Sequence, residues 1–129
     1  NFVTQKIVQG AATIAKGKLD NLELGNLDIE RDWGYAPDYV LGMWLMLQQQ
    51  TPSDYVLATG TTHKLSEFLE IAFQYFDLEY KKYVRVNQKF IRPNEPQKLC
   101  GDSFKAQKIL NWKPSLSFTE LILEMCKSV

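Results

Sequence analysis

Apolar residues recur every three or four positions in three segments of the chain, which is the spacing of one buried face of an α-helix. The first predicted helix covers residues 2–16 and stops before Gly17. The second begins after Thr62, a potential cap, and its predicted buried residues are Leu65, Phe68, Leu69, Ala72, Phe73 and Phe76. The third begins at the capping-box sequence Ser117-Phe118-Thr119-Glu120, and its predicted apolar face comprises Leu121, Ile122 and Met125.

Two further helices are predicted from their end signals. One starts near Pro37, a residue suited to a first helical turn, with Asp38 beside the positive end of the helix dipole. Its predicted buried stripe comprises Val40, Met43, Trp44 and Leu47. The other is capped by Asp102, runs to Leu110 and stops at Asn111.

Strand-forming residues occur in short runs. Leu22 and Leu24 predict a short strand that leads into a turn at Gly25-Asn26. The sequence D-Y-V-L-A-T at 54–59 predicts a buried strand. Two weaker strands are predicted at residues 83–86 and 98–100, and a loop is predicted at residues 87–96. The pattern as a whole predicts a helix-rich α/β domain with about five helices and a few short strands.

Composition restricts the partners of the chain. Its 129 residues suit one domain, and its 15 basic and 15 acidic residues cancel, which argues against nucleic acid or an anionic membrane as a partner. No apolar run is long enough to span a membrane, and no signal-like segment opens the sequence. Cys100 and Cys126 are expected to be reduced, buried thiols of a cytoplasmic protein. Because the chain starts at Asn1 in a helical pattern, without an initiator Met, we expect it to be a piece of a longer protein.

Most motifs that carry chemistry are missing from the sequence. It holds no G-x-G-x-x-G, no P-loop, no H-E-x-x-H and no Tyr-x-x-x-Lys pair. A protein-built zinc site is not expected from one histidine and two distant cysteines. His63 lies at a predicted helix start, where the dipole disfavours its protonated form, so we interpret it as a surface or capping histidine.

Two arginines in predicted loops are the remaining candidates for binding chemistry. Arg31 precedes Asp32 and Trp33, and Arg92 precedes Pro93, which favours an extended backbone. Guanidinium groups suit phosphate oxygens because they stay charged and donate paired hydrogen bonds. The alternative is that both are surface ion pairs, Arg31 with Glu30 or Asp32 and Arg92 with Glu95. Spacing alone leaves both interpretations open.

Seven segments of the chain occur in the order found in one enzyme family. They are N-F-V-T-Q-K-I (1–7), L-G-N-L-D-I-E-R-D-W-G-Y-A-P-D-Y-V (24–40), M-W-L-M-L-Q-Q (43–49), A-T-G (58–60), F-I-R-P-N-E (90–95), G-D-S-F-K-A (101–106) and L-N-W-K-P (110–114). Together they resemble the C-terminal part of the GDP-mannose 4,6-dehydratase family, a group of extended short-chain dehydrogenases/reductases. The resemblance covers essentially the whole chain, residues 1–129, and R-D-W-G with M-W-L-M-L-Q-Q is its most specific part.

The resemblance implies a parent enzyme whose Rossmann domain is largely absent from this chain. Such an enzyme is an NADP-dependent lyase that converts GDP-mannose to GDP-4-keto-6-deoxymannose, a step toward GDP-fucose and related deoxysugars. The family oxidises the mannose at C4, eliminates water across C5–C6 and returns the hydride to C6. NADP and the catalytic residues belong to the missing domain, so the chain alone is predicted to be inactive. Family members form dimers or tetramers, so the parent is expected to be a homo-oligomer.

The resemblance also implies a set of substrate-binding residues. Arg31 and Arg92 would clamp the diphosphate, and Glu95 would accept hydrogen bonds from ribose hydroxyls. The others would line the nucleoside and sugar side: Asn1, Val3, Lys6, Leu24, Gly25 and Asn26. Trp33 and Asp38 are expected to be structural. The family's usual Arg-Lys is Gln5-Lys6 here, which removes one basic contact and makes any role of Gln5 in binding doubtful.

Two other functional interpretations of the sequence remain open. The chain could belong to a relative that acts on another nucleotide-sugar, such as an epimerase or a UDP- or dTDP-linked dehydratase. It could instead be a separate, non-catalytic binding or oligomerisation module.

Overall fold

The computed structural model describes residues 2–129, and Asn1, one of the predicted binding residues, lies outside the described residues. The described chain forms six α-helices, which are α1 (Val3–Ala15), α2 (Ala36–Leu47), α3 (Leu65–Tyr75), α4 (Tyr80–Tyr83), α5 (Phe104–Leu110) and α6 (Phe118–Lys127). It also forms five strands, which are β1 (Leu22–Leu24), β2 (Glu30–Arg31), β3 (His63–Lys64), β4 (Val84–Val86) and β5 (Lys98–Leu99). A 3-10 turn covers Gln88–Phe90. No helix within residues 2–129 is long and apolar enough to cross a membrane.

The main core lies between α1, α3 and α6, whose apolar faces pack together. The amphipathic spacing that predicted these three helices is confirmed, because the apolar positions are the buried ones. The predicted capping box of α6 is also present, with Ser117 and Glu120 exchanging hydrogen bonds. The buried side chains at the centre of this core are Ile7, Val8, Phe68, Leu69, Phe73 and Ile122.

The predicted buried stripe of α2 is wrong. Val40, Met43, Trp44 and Leu47 are all exposed, whereas Gly42 and Asp38 on the same helix are buried. The helix packs on α5 through a different face, in a second core around Trp112 that includes Leu45 and Met46. Apolar side chains surround α2 almost completely, so helical spacing does not determine which face packs.

The predicted strand at 54–59 is also absent, because no strand within residues 2–129 pairs with it. Thr62 does not cap α3, since its hydroxyl donates to Glu30 and the N-cap position is Lys64. The N-cap of α5 is Ser103 and not the predicted Asp102, although the Asp102 carboxylate accepts a hydrogen bond from the Phe104 backbone N–H. Asn111 ends α5 in the left-handed conformation, as expected for a stop.

The five strands form two small sheets, and strand pairing fixes the positions of the loops that connect the strands. Strands β1 and β4 are parallel, with Leu24 opposite Val86. Strand β2 lies between β3 and β5, antiparallel to the first and parallel to the second, so Arg31 lies opposite His63 and Leu99. The first sheet brings the segment after β4 beside the end of β1, and the second brings the segment before β5 beside β2, although the paired strands are about 60 residues apart in sequence.

Candidate functional site

A cleft of about 790 Å³ opens between the start of α1, the turn after β1, strand β2 and the loop 88–95. It contains six of the nine residues expected to bind substrate, namely Val3, Gly25, Asn26, Arg31, Arg92 and Glu95. Its remaining lining residues are Phe2, Gln5, Ile29, Trp33, Leu65 and Phe90. The segments separated along the chain therefore meet around one concave surface that carries two arginines.

Arg31 is fixed in the cleft by backbone and side-chain partners. Its Nη1 donates to the carbonyl oxygens of Glu30 at 2.8 Å and Pro96 at 2.9 Å. Its Nη2 donates to Glu95 Oε1 at 2.9 Å. Three of the five guanidinium N–H groups are thus used, which leaves two donors for another partner.

The local ion pairs considered from the sequence are wrong. The Glu30 carboxylate binds Thr62 and Lys98, and these contacts, led by the Thr62 hydrogen bond, lower the pKa of Glu30. The Asp32 carboxylate accepts its hydrogen bonds from Thr59, Gly60 and Gly101, and within residues 2–129 it forms none with Arg31. Arg92 is exposed and makes no ion pair within residues 2–129, so the cleft keeps a second cation beside the Arg31–Glu95 pair.

The turn after β1 holds the loop that carries Arg92 and Glu95. A Cβ built on Gly25 would lie 2.5 Å from the carbonyl oxygen of Phe90, so glycine permits the close approach of this loop. The Leu24 carbonyl accepts from Asn87 N at 2.8 Å, which joins the turn to the end of β4. Asn26 Oδ1 accepts from the Asp28 backbone at 2.9 Å, and this local bond shapes the turn.

Lys6 and Leu24 do not line the cleft. Leu24 is a core residue with 2% of its surface exposed. Lys6 Nζ donates to the Glu23 carbonyl at 2.6 Å and lies 4.2 Å from the centre of the Phe90 ring. Lys6 therefore connects α1 to the cleft loop in this structure.

Comparison with known proteins assigns the chain to a family. A family model described as GDP-mannose 4,6 dehydratase matches residues 1–125. This chain belongs to the GDP-mannose 4,6-dehydratase family. Two curated relatives carry the same description: one from Drosophila melanogaster is 45% identical over 99% of this chain, and one from Arabidopsis thaliana is 48% identical over 97%.

The chain spans about a third of the length of these relatives, 37% and 34% respectively. A solved structure of RMD from Pseudomonas aeruginosa, complexed with NADPH, matches 98% of this chain and 41% of its own, with a TM-score of 0.86 and 19% identity. This chain therefore shares the fold of part of that structure, and it is the helix-rich α/β fold with a few short strands that the sequence predicted.

In this member of the GDP-mannose 4,6-dehydratase family, Asp32 has a role that the sequence pattern did not reveal. The Asp32 carboxylate accepts from Thr59 N and Oγ1, from Gly60 N and from Gly101 N, at distances of 2.6–3.3 Å. It therefore joins three segments of the chain. Trp33 stacks on Phe118, the packing role expected of it, and it also lines the cleft. The alternation of Ile29, Arg31 and Trp33 toward the cleft was the available signal.

The other candidate residues make structural contacts. Asp38 is buried, and its carboxylate accepts from Ser115 N and Oγ. His63 stacks on the Phe118 ring at 3.8 Å and pairs with Glu67 at 2.8 Å, so it does not cap a helix. No group of three or more His, Cys, Asp or Glu side chains within residues 2–129 is arranged to hold a metal ion.

The two cysteines differ from each other. Both are free thiols; Cys126 is buried as expected, but Cys100 is exposed, which corrects the expectation for that residue. Burial raises the pKa of the Cys126 thiol to about 11. Cys126 is therefore a core residue with low reactivity.

Proposed function

We propose that this chain forms the nucleotide-sugar-binding part of a GDP-mannose 4,6-dehydratase and that its cleft holds the GDP moiety of GDP-mannose. The observation that carries the proposal is the convergence of Arg31 and Arg92 on one cleft beside the start of α1. The first turn of α1 has no acidic residue and no side-chain cap, so its backbone N–H groups and positive dipole end add to the positive potential. A diphosphate is the ligand that such a combination favours.

The remaining lining groups suit a nucleoside. Glu95 can accept from ribose hydroxyls, and Phe90 and Trp33 offer aromatic surface for a base or sugar. Gly25 and Asn26 would bring backbone close to the ligand in the proposed complex. Lys6 and Leu24 would support the loop and the turn rather than touch the nucleotide.

The parent enzyme is proposed to be an NADP-dependent lyase that forms GDP-4-keto-6-deoxymannose. A nicotinamide cofactor would supply the hydride chemistry when bound. This chain holds no G-x-G-x-x-G sequence, and none of its residues is assigned a catalytic role, so we place the cofactor site in a part of the parent outside this chain. The chain alone is proposed to be inactive, and its own contribution is to fix GDP so that the sugar is positioned.

The exposed apolar face of α2 supports a larger parent. Val40, Met43, Trp44 and Leu47 are 56–82% exposed, and a patch of this kind is normally covered. We propose that other parts of the parent pack on this face and pair with the segment 54–59. A homo-oligomeric parent and a cytoplasmic location, where free thiols persist, are part of the same proposal.

The first experiment is calorimetric titration of the chain with GDP and GDP-mannose at ~50 and ~200 mM salt, conditions chosen because phosphate contacts weaken as salt rises. Arg31→Ala and Arg92→Ala should each weaken binding by roughly 10- to 100-fold, the range for a charge-assisted hydrogen bond. Arg85→Ala is the matched control, because Arg85 lies on β4 and, within residues 2–129, its guanidinium bonds only to the nearby carbonyls of Lys81 and Val84. Binding that ignores both cleft arginines would exclude the diphosphate clamp.

Competition distinguishes the alternatives. Tighter binding of UDP or dTDP than of GDP would favour another nucleotide-sugar enzyme. Self-association without saturable nucleotide binding would favour an oligomerisation module.

A further inference from the structure

Glu95 provides the only carboxylate within residues 2–129 that pairs with a cleft arginine. Its Oε1 lies 2.9 Å from Arg31 Nη2, and the two side chains are only 20% and 18% exposed. The pair is therefore more protected from water than an ordinary surface ion pair.

The conformation of the loop that carries Glu95 places its carboxylate beside the Arg31 guanidinium. Asn94 adopts the left-handed conformation, with φ of 60°, which turns the chain between Arg92 and Glu95. The next residue, Pro96, contributes its carbonyl oxygen to Arg31 at 2.9 Å. One loop thus supplies both a charged and a neutral acceptor to the same guanidinium.

These contacts give Glu95 the position of an anionic ligand. The carbonyls of Glu30 and Pro96 orient Arg31 but carry no net charge, so among the described residues only Glu95 neutralises its charge. A carboxylate oxygen and a phosphate oxygen accept the same charge-assisted hydrogen bond from a guanidinium.

We propose that Glu95 takes the place of a phosphate oxygen on Arg31 and that the diphosphate of the ligand displaces it. This inference rests on the proposed function, because it uses the diphosphate contact to Arg31. It makes Glu95 a specificity-determining residue. A tethered carboxylate competes at an effective concentration of ~mM or more, so free phosphate and pyrophosphate bind poorly.

A nucleoside diphosphate overcomes this competition because its ribose and base add contacts that pyrophosphate lacks. Once displaced, the Glu95 carboxylate is free to accept from a ribose hydroxyl. The same residue therefore opposes a bare anion and favours an anion that carries a sugar.

The test compares pyrophosphate and GDP on the wild-type chain, Glu95→Gln and Glu95→Ala by calorimetric titration. Both variants remove the competing charge, so pyrophosphate affinity should rise by about fivefold or more, a change of ~1 kcal/mol or above. The ratio of GDP affinity to pyrophosphate affinity should fall in both. Circular dichroism melting verifies that each variant is folded, and the alanine variant replaces the glutamine variant if the latter is not.

Glu124→Gln is the matched control for net charge. Glu124 is also a carboxylate in an ion pair, with Lys127 Nζ at 2.6 Å, but it lies on α6 away from the cleft lining. Its pyrophosphate affinity should change by less than about twofold, because exposed charges at a distance are screened. An equal gain in this control would overturn the displacement mechanism in favour of general electrostatics.

A double variant separates this inference from the proposed function. The gain in pyrophosphate affinity should vanish in Arg31→Ala/Glu95→Gln, whether or not the wild type binds GDP. Unchanged pyrophosphate affinity in both Glu95 variants, or no pyrophosphate binding to any of them, would overturn the displacement of Glu95. If the pyrophosphate results are as expected but GDP does not bind through Arg31, the proposed function is refuted and the displacement of Glu95 is not.

Discussion

Substitution of Gly25 by alanine tests whether the turn after β1 positions the cleft. The added Cβ would lie 2.5 Å from Phe90 O, 2.9 Å from Phe90 C and 3.4 Å from Ile91 N. These are backbone atoms, which cannot rotate away as the end of a side chain could. The loop that carries Arg92 and Glu95 must therefore move.

The size of the effect follows from these distances. A carbon–oxygen contact is comfortable at ~3.3 Å, so the loop or the turn must yield by about 0.8 Å. Overpacking of this kind typically destabilises by ~1–3 kcal/mol, which corresponds to a fall in melting temperature of roughly 4–10 °C for a chain of this size. A shift approaching 1 Å also changes the spacing of Arg92 and Arg31, so GDP affinity should fall by about tenfold or more.

Gly17→Ala is the control for this prediction. Gly17 has a φ of +66° and no atom within 4 Å of its added Cβ, so alanine there introduces only backbone strain of ~1–2 kcal/mol. Thermal melting should show both variants destabilised, while calorimetry should show weaker GDP binding only for Gly25→Ala. A stable Gly25→Ala chain that binds GDP like the wild type would refute the positioning role of this contact.

Three other predictions concern the fold. In the native chain a thiol reagent should modify Cys100 and leave Cys126 unmodified until denaturant is added, because burial holds the Cys126 pKa at about 11; equal rates counted by mass spectrometry would contradict this. Trp112→Phe should destabilise by ~1–3 kcal/mol in urea unfolding, because it removes a buried hydrogen bond of 2.6 Å from the indole N–H to a carbonyl of α2. Ser117→Ala should destabilise by ~1 kcal/mol at pH 7. This loss should shrink below pH 4.5, because the Ser117 hydrogen bonds lower the folded-state pKa of Glu120 and that stabilisation disappears as the carboxylate is protonated; a loss independent of pH would contradict it.

The fold could be predicted where burial was encoded by local spacing. Helices α1, α3 and α6 each have one apolar face, and that face is the one that packs. Helix α2 is apolar on several faces, so its sequence did not determine that Gly42 would face the core and Trp44 the surface. The segment 54–59 has the composition of a strand, but a strand also needs a partner, which local propensity cannot supply.

The site was predicted less completely than the fold. The family resemblance singled out Arg31, Arg92 and Glu95, and the structure brings them to one cleft. The contact between Arg31 and Glu95 depends on the parallel register of β2 with β5, which brings together residues 64 positions apart. Sequence spacing favoured neighbouring partners for Arg31, so the Glu95 contact was missed. The role of Asp32 was missed for the same reason, because its partners Thr59 and Gly101 are distant in sequence.

The alternation of Arg31 and Asp32 has a consequence for how the segment before them can vary. Arg31, the last residue of β2, lines the cleft, whereas the carboxylate of Asp32, the next residue, accepts hydrogen bonds from two other segments, at Thr59-Gly60 and at Gly101. Inserting or deleting one residue between Leu27 and Arg31 would exchange these directions and present a carboxylate to the cleft. In natural or laboratory variation of this protein, the length of this segment should be more tightly restricted than the chemical character of its exposed side chains.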